Sequence, residues 1–231
     1  MNIYWQSNQD MSAVVDSSVQ LCLMSPPQPM QYDSVYMDSY IDYNIMILQK
    51  VNNKLKPKGI LCFVTTDNYH SGTLVLRHAM FLKAIKDAGF NVFSIKIWSR
   101  GDFVELYRPS FSYIIMASKE KSKSLETVNK MHKAPFGWDV WKITDEYKLW
   151  KQYSAFPAEL AQRCIECFTN PGDTVLDPYS GTGTTPICAH KMGRIGIGYE
   201  LDASLLKAFE DRCKEIRIVK SSEIQSLGSF V

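Results

Sequence analysis

Two short runs in this chain hold residue types whose order suits chemistry. The first is Ser25-Pro26-Pro27-Gln28, directly after the apolar run VQLCLM at 19–24. Two prolines fix φ and remove two N–H donors, so the carbonyls of this corner cannot fold back into a helix and stay available as acceptors. The Ser25 hydroxyl and the Pro26 carbonyl can then each accept one hydrogen of an amino group. An exocyclic amine on a heterocyclic base is a poor nucleophile, because its lone pair is delocalised into the ring. Held by two acceptors, it can rehybridise toward sp³ and aim that pair at an electrophilic methyl carbon, mainly through positioning and electrostatics. The competing reading is a Pro-Pro strand terminator without chemistry.

The second run is DPYSGTGT at 177–184. Gly181 and Gly183 let the backbone bend tightly and approach a ligand, and the N-terminus of the helix that follows offers free N–H groups. Glu200, at the end of the next strand, can accept hydrogen bonds from ribose hydroxyls. A nucleoside-type ligand fits this combination. The run lacks both GxGxxG spacing and the lysine of a P-loop, which disfavours an NAD or ATP site. The competing reading of the glycines, were Glu200 absent, is a plain strand-to-helix turn.

Short apolar runs followed by loop or helix signals must position these corners, and they predict a mostly parallel sheet with crossover helices. Strands are expected at 19–24, 60–65, 90–98, 111–118, 174–177 and 194–200, those at 90–98 and 111–118 as neighbours. Helices are expected at 40–55, ended by KPKG, at 74–88 with Gly89 as its cap, at 158–168 and at 185–192. Asp202 can cap a last helix with an apolar stripe of Leu205, Leu206, Phe209, Cys213 and Ile216. From Lys119 to Lys151 periodicity is lost and Lys, Ser, Trp and Tyr take over, which predicts a loop or small insertion. The tail after Val219 reads as frayed.

With 231 residues, 45% apolar and 22% charged, the chain reads as one globular domain, or one with a small insertion, and not as a disordered chain. Its formal charge of +2 excludes nucleic-acid binding by overall charge alone but leaves a local basic patch open. No apolar run is long enough to cross a bilayer, and the first residues lack a signal peptide's pattern, so a soluble cytoplasmic protein is expected. Cys22, Cys62, Cys164, Cys167, Cys188 and Cys213 mostly sit in apolar segments and read as reduced, buried thiols. The CxxC at Cys164 and Cys167 lies in a helical run without a second pair at zinc-finger spacing, and no metal is expected.

The two runs, in this order, resemble the motifs of the DNA amino-methyltransferases, which methylate N4 of cytosine or N6 of adenine with S-adenosylmethionine. That family's catalytic motif is Asp, Asn or Ser followed by Pro-Pro and an aromatic, and its cofactor motif is a DPFxGxGT run. SPPQ at 25–28 precedes DPYSGTGT at 177–184, which is similar to the permuted β group. The resemblance extends from NIYWQSNQDM near the start to GIGYELD at 196–202. It implies an α/β, Rossmann-like methyltransferase fold with a mostly parallel central sheet flanked by helices, as a single catalytic domain over 1–231. It also implies catalytic Ser25, Pro26, Pro27 and Gln28, and a cofactor pocket from Asp10, Ser154, Ala155, Phe156, Pro157, Asp177, Tyr179, Gly181, Gly183, Thr184 and Glu200.

Two departures bear on the activity that the resemblance implies. Gln28 stands where family members place Tyr, Phe or Trp to stack on the extruded base; Tyr32, Tyr36 and Tyr69 are candidates for the missing face. The span available for target recognition, at about 119–152, is short. Its lysines, with Trp138, Trp141 and Trp150, read either as DNA contacts or as a solvated face. The serine ahead of Pro-Pro leans toward cytosine N4 by resemblance. Adenine N6, an inactive cofactor- and DNA-binding subunit, and RNA or nucleobase methylation stay as alternatives, and a homodimer and a restriction endonuclease partner are left open.

Overall fold

Val19–Met24 (β2) is buried along its whole length, as a strand covered by helices on both faces must be. The structure, a computed structural model, describes residues 1–100, 109–121, 137–144 and 155–218. Among them the other strands are β1 (Asn2–Tyr4), β3 (Leu55–Thr65), β4 (Asn68–His70), β5 (Thr73–Val75), β6 (Asn91–Ser99), β7 (Phe111–Ser118), β8 (Val140–Lys142), β9 (Thr174–Asp177) and β10 (Ile195–Tyr199). The helices are α1 (Ser34–Lys54), α2 (Arg77–Asp87), α3 (Ala158–Phe168), α4 (Thr184–Lys191) and α5 (Leu206–Glu215).

The main sheet runs in the order β1-β10-β9-β2-β3-β7-β6-β8, and β4 and β5 form a separate hairpin. Strand β7 is antiparallel to β3 and β6; the other pairings of the main sheet are parallel. Alternation along the strands builds a core on each face. Leu21 and Leu23 join Cys62, Val64 and the apolar sides of α3 and α4 on one face. On the other, Cys22 and Met24 join Phe63, Ile47 and Leu48 of α1 and Phe81 and Ile85 of α2. This is the three-layer Rossmann-like arrangement expected of the sequence.

Strands β2 and β9 are neighbours, yet their chains leave in opposite directions. From β2 the chain crosses through α1 to β3, and from β9 through α4 to β10 on the other side. In open α/β sheets this reversal opens a crevice at the carboxyl ends of the strands, where ligands bind. Ser25 follows β2 and Pro178 follows β9, so the fold brings both chemical corners to this one place. Cys22 pairs with Leu176, which puts the corners side by side.

Several boundaries differ from the sequence expectation. Helix α1 begins at Ser34, because the Asp33 carboxylate accepts the Tyr36 N–H at 2.9 Å and caps it. KPKG belongs to β3, with a register shift between Val19 and Leu21 that takes up the extra residues. Residues 73–75 pair with 68–70 instead of starting α2. Strand β8 lies inside the stretch expected to be a loop, and Trp141 on it is fully buried, a core residue and not a nucleic-acid contact. Lys119 is also structural: its Nζ donates to the carbonyls of Asn52 at 2.9 Å and Leu55 at 3.3 Å, at the end of α1. Of the apolar stripe expected on the last helix, Phe209 and Cys213 of α5 pack against the core and Ile216 just beyond it is buried, with Ala208 and Arg212 buried beside them, whereas Leu206 is exposed. Trp150 and most of the lysine-rich stretch lie outside the described residues.

Candidate active site

The proline corner is fixed from below by two helices. The Tyr40 hydroxyl, on α1, donates to the Pro27 carbonyl at 2.7 Å. Arg77, the first residue of α2, donates through Nη2 to the Tyr40 oxygen at 2.9 Å and through Nη1 to the Thr66 carbonyl at 3.3 Å. Burial raises the Tyr40 pKa, and the Arg77 charge beside it works in the opposite direction. Pro26 is buried, Ser25 is half-buried, and Pro27 and Gln28 are exposed.

The glycine turn is fixed by its own backbone and by β10. Ser180 N–H donates to the Tyr199 carbonyl at 2.9 Å, and Gly183 N–H to the Ser180 carbonyl at 2.7 Å. Glu200 holds the turn through its carboxylate: Oε2 accepts the Gly181 N–H and Oε1 the Asp202 N–H, each at 2.9 Å. A carboxylate has about four acceptor positions, so two remain after these bonds and suit a pair of ribose hydroxyls. Asn8 closes the turn from the chain's start, donating from Nδ2 to the Pro178 carbonyl at 2.9 Å while its Oδ1 accepts the Tyr43 hydroxyl at 2.6 Å.

Both corners line a single cavity of about 1170 Å³. That exceeds the roughly 300–1,000 Å³ usual for one small ligand. Among the described residues, several that line it carry a buried polar atom with no hydrogen-bond partner. Thr182 Oγ1 and Tyr199 Oη lie near the glycine turn, and Thr65 Oγ1 and Arg77 Nε near the proline corner. Asp177 also faces the cavity. Burial raises its pKa to about 7, against the nearby Thr185 hydroxyl and the Tyr179 N–H that donates to its Oδ1 at 3.0 Å, while the Glu200 charge raises it further. A cationic ligand group is the natural partner for such a carboxyl.

Of the residues proposed from sequence, Ser25, Pro26, Pro27, Gln28, Ala155, Phe156, Asp177, Tyr179, Gly181, Thr184 and Glu200 line this cavity together. Asp10 does not: its exposed carboxylate accepts the Ser12 N–H at 2.9 Å, and Gln6, Ser7 and Asn8 face the cavity instead. Pro157 stands outside the lining as the N-cap of α3. Ser154 lies outside the described residues.

The two glycines divide their work differently from the sequence reading. Gly181, at φ 52°, lines the cavity, and a side chain there would meet no atom within 4 Å. Gly183, at φ 82°, is pressed against Phe209, where an added Cβ would lie 2.4 Å from the ring, so this glycine serves packing against α5. Sequence reasoning also missed Arg212, buried on α5, which joins the glycine turn to the Phe156 segment. Its Nε donates to Thr184 Oγ1 at 2.9 Å and its Nη2 to the Phe156 carbonyl at 3.4 Å. Nothing in the local sequence marks Tyr40, Arg77 or Arg212, since each acts across the fold; Asn8 at least falls in the NIYWQSNQDM run.

The glycine turn and the acceptor-rich corner thus open onto one cavity at the carboxyl ends of neighbouring strands of an α/β sheet. The family model described as DNA methylase, for N6 and N4 methylation, matches residues 19–211, and the chain belongs to that family, a methyltransferase by membership. The type II methyltransferase M.MthZI of Methanothermobacter thermautotrophicus is 26% identical over 274 residues, covering 92% of this chain and 76% of that one. M.MjaI of Methanocaldococcus jannaschii, also a type II methyltransferase, is 26% identical over 267 residues, covering 87% of each. Among solved structures, TTHA0409 of Thermus thermophilus, assigned as a DNA modification methylase and complexed with S-adenosyl-L-methionine, has a TM-score of 0.75 at 25% identity, covering 92% of both chains. The PvuII cytosine-N4-specific DNA methyltransferase shares the fold, with a TM-score of 0.78 at 19% identity over 98% of this chain and 90% of that one.

Proposed function

We propose that this chain is a single catalytic domain that transfers a methyl group from S-adenosylmethionine to an exocyclic amine of a DNA base, with cytosine N4 as the target. The observation that carries the reading is the meeting of the proline corner and the glycine turn at neighbouring strand ends, open to one cavity. The cofactor supplies a methyl group already activated on a sulfonium. Glu200 would hold its ribose hydroxyls, Gly181 would leave room for its close approach, and Asp177 would face its positive charge. Ser25 Oγ and the Pro26 carbonyl accept the two amine hydrogens, which turns the nitrogen lone pair toward the methyl carbon. To reach them the base must leave the helix stack. Serine ahead of the two prolines supports cytosine N4 over adenine N6.

Gln28 favours a second reading, a subunit that binds cofactor and DNA without transfer. Incubation with labelled S-adenosylmethionine and DNA, RNA or nucleosides, followed by digestion and mass spectrometry, separates the two. N4-methylcytosine in DNA alone is the expected product. N6-methyladenine reassigns the base, and cofactor binding without any labelled product overturns the transfer reading.

A further inference from the structure

The proline corner ends on Gln28, so it offers no flat ring to a base delivered to Ser25. The structure separates the three tyrosines that sequence put forward for this role. Tyr36 is outside the cavity lining, and its hydroxyl accepts the Met30 N–H at 3.4 Å. Tyr32 is outside it too; its ring stacks on His70 at 4.5 Å and 21°, and its hydroxyl accepts from Asn68 Nδ2. Tyr69 lines the cavity and is 41% exposed.

Tyr69 is also well placed by its backbone. It is the middle residue of β4, in a hairpin turned by Ser71 and Gly72, both at positive φ, which is the pattern of a tight two-residue turn. Side chains alternate along a strand, so Asn68 and His70 share the side that meets Tyr32 while Tyr69 takes the other. Asn68 Nδ2 also lies 3.4 Å from Gln28 Oε1. The residue that stands in the ring's place is thus bonded to the strand that carries a ring, through the side of that strand opposite the ring.

Resting on the methyltransferase reading above, we propose that Tyr69 supplies the aromatic face on which the target base rests, the role that the resemblance would give to position 28. A base drawn out of the duplex loses its stacking, and an aromatic face in the pocket restores part of it. The role needs the ring and not its hydroxyl.

The test uses the full chain, labelled S-adenosylmethionine and mixed-sequence DNA. Tyr69→Ala is expected to lower kcat/KM for DNA by roughly 5- to 150-fold, the range that loss of one base-aromatic stack produces. Cofactor affinity by calorimetry is expected to stay unchanged, and Tyr69→Phe to keep near-normal activity. Adding Gln28→Tyr to Tyr69→Ala is expected to restore part of the loss, which a purely structural role for Tyr69 would not allow. Activity of Tyr69→Ala within twofold of the unaltered chain overturns the proposal, as does Tyr69→Phe failing as badly as Tyr69→Ala. An unaltered chain that binds cofactor but labels no nucleic acid overturns the methylation reading itself, and the stacking role with it.

Discussion

The hydroxyl of Tyr40 donates to the carbonyl of Pro27 at 2.7 Å, so a residue inside a helix holds the middle of the proposed catalytic corner. Arg77 in turn donates to Tyr40, which makes the corner part of a rigid chain from α2 through α1. A loop built on two prolines cannot secure itself through its own N–H groups and needs this outside donor. Tyr40→Phe is expected to leave cofactor affinity unchanged and to reduce kcat about 5- to 10-fold, the equivalent of one hydrogen bond of roughly 1 kcal/mol. Single-turnover kinetics at saturating DNA measure this. A change in KM alone would show that Tyr40 shapes DNA binding and not the amine's position.

Ser25→Ala tests the corner directly. The hydroxyl is proposed to act only when the amine changes shape, so its loss should fall on the transfer step, by about 100-fold, the scale seen when one positioned polar group is removed from an active site. Calorimetric affinity for S-adenosylmethionine should match the unaltered chain. Equal turnover in the variant would remove Ser25 from the mechanism.

Both corners were legible in the sequence because each is a local signal. Prolines fix φ, glycines permit close approach, and the apolar runs before them mark strands whatever the rest of the chain does. What the sequence could not show is tertiary. Tyr40 reaches Pro27, and Arg77 reaches Tyr40, only after α1 and α2 pack on the same face of the sheet, and Arg212 reaches Thr184 only after α5 docks. The hairpin at 68–75 was hidden because Thr73, Leu74 and Val75 suit a helix start as well as a strand, and pairing with 68–70 decides between them. Trp141 illustrates the opposite error. A tryptophan in a lysine-rich stretch reads as a nucleic-acid contact, but edge pairing with β6 turns it into the core.

Gly183 offers a test of packing separate from ligand binding. Its φ of 82° and the nearness of Phe209 both oppose a side chain. Gly183→Ala is therefore expected to destabilise the cofactor-free chain, by roughly 1–3 kcal/mol from overpacking plus about 1 kcal/mol for the left-handed backbone. Adding Phe209→Ala should not restore full stability, since it removes a packed ring, but it should make the Gly183→Ala increment smaller in a double-mutant cycle. Thermal melts without cofactor give the increments. If the cost of Gly183→Ala were the same with and without the Phe209 ring, the contact would not be what requires glycine there.

Asp177 links pH to both stability and cofactor binding. Its folded pKa of about 7 stands above the ordinary value of 3.8, chiefly because burial penalises the charged form. Between these values the folded chain keeps a proton that the unfolded chain has lost. The protons bound by the native state exceed those of the unfolded state, so stability falls as pH rises from about 4 to about 7 and levels off above, by roughly 4 kcal/mol in all. Asp177→Asn removes this slope and should make the cofactor-free chain more stable than the unaltered one at pH 8. Binding should behave in the opposite sense. A cationic ligand beside the carboxyl favours its ionised form, so affinity for S-adenosylmethionine should climb from pH 5 toward pH 8, with proton release on binding below about pH 7. Denaturant melts and calorimetry in buffers of different ionisation heat, run on both proteins, check the two slopes. Matching pH profiles for Asp177→Asn and the unaltered chain would mean that the Asp177 proton is linked to neither.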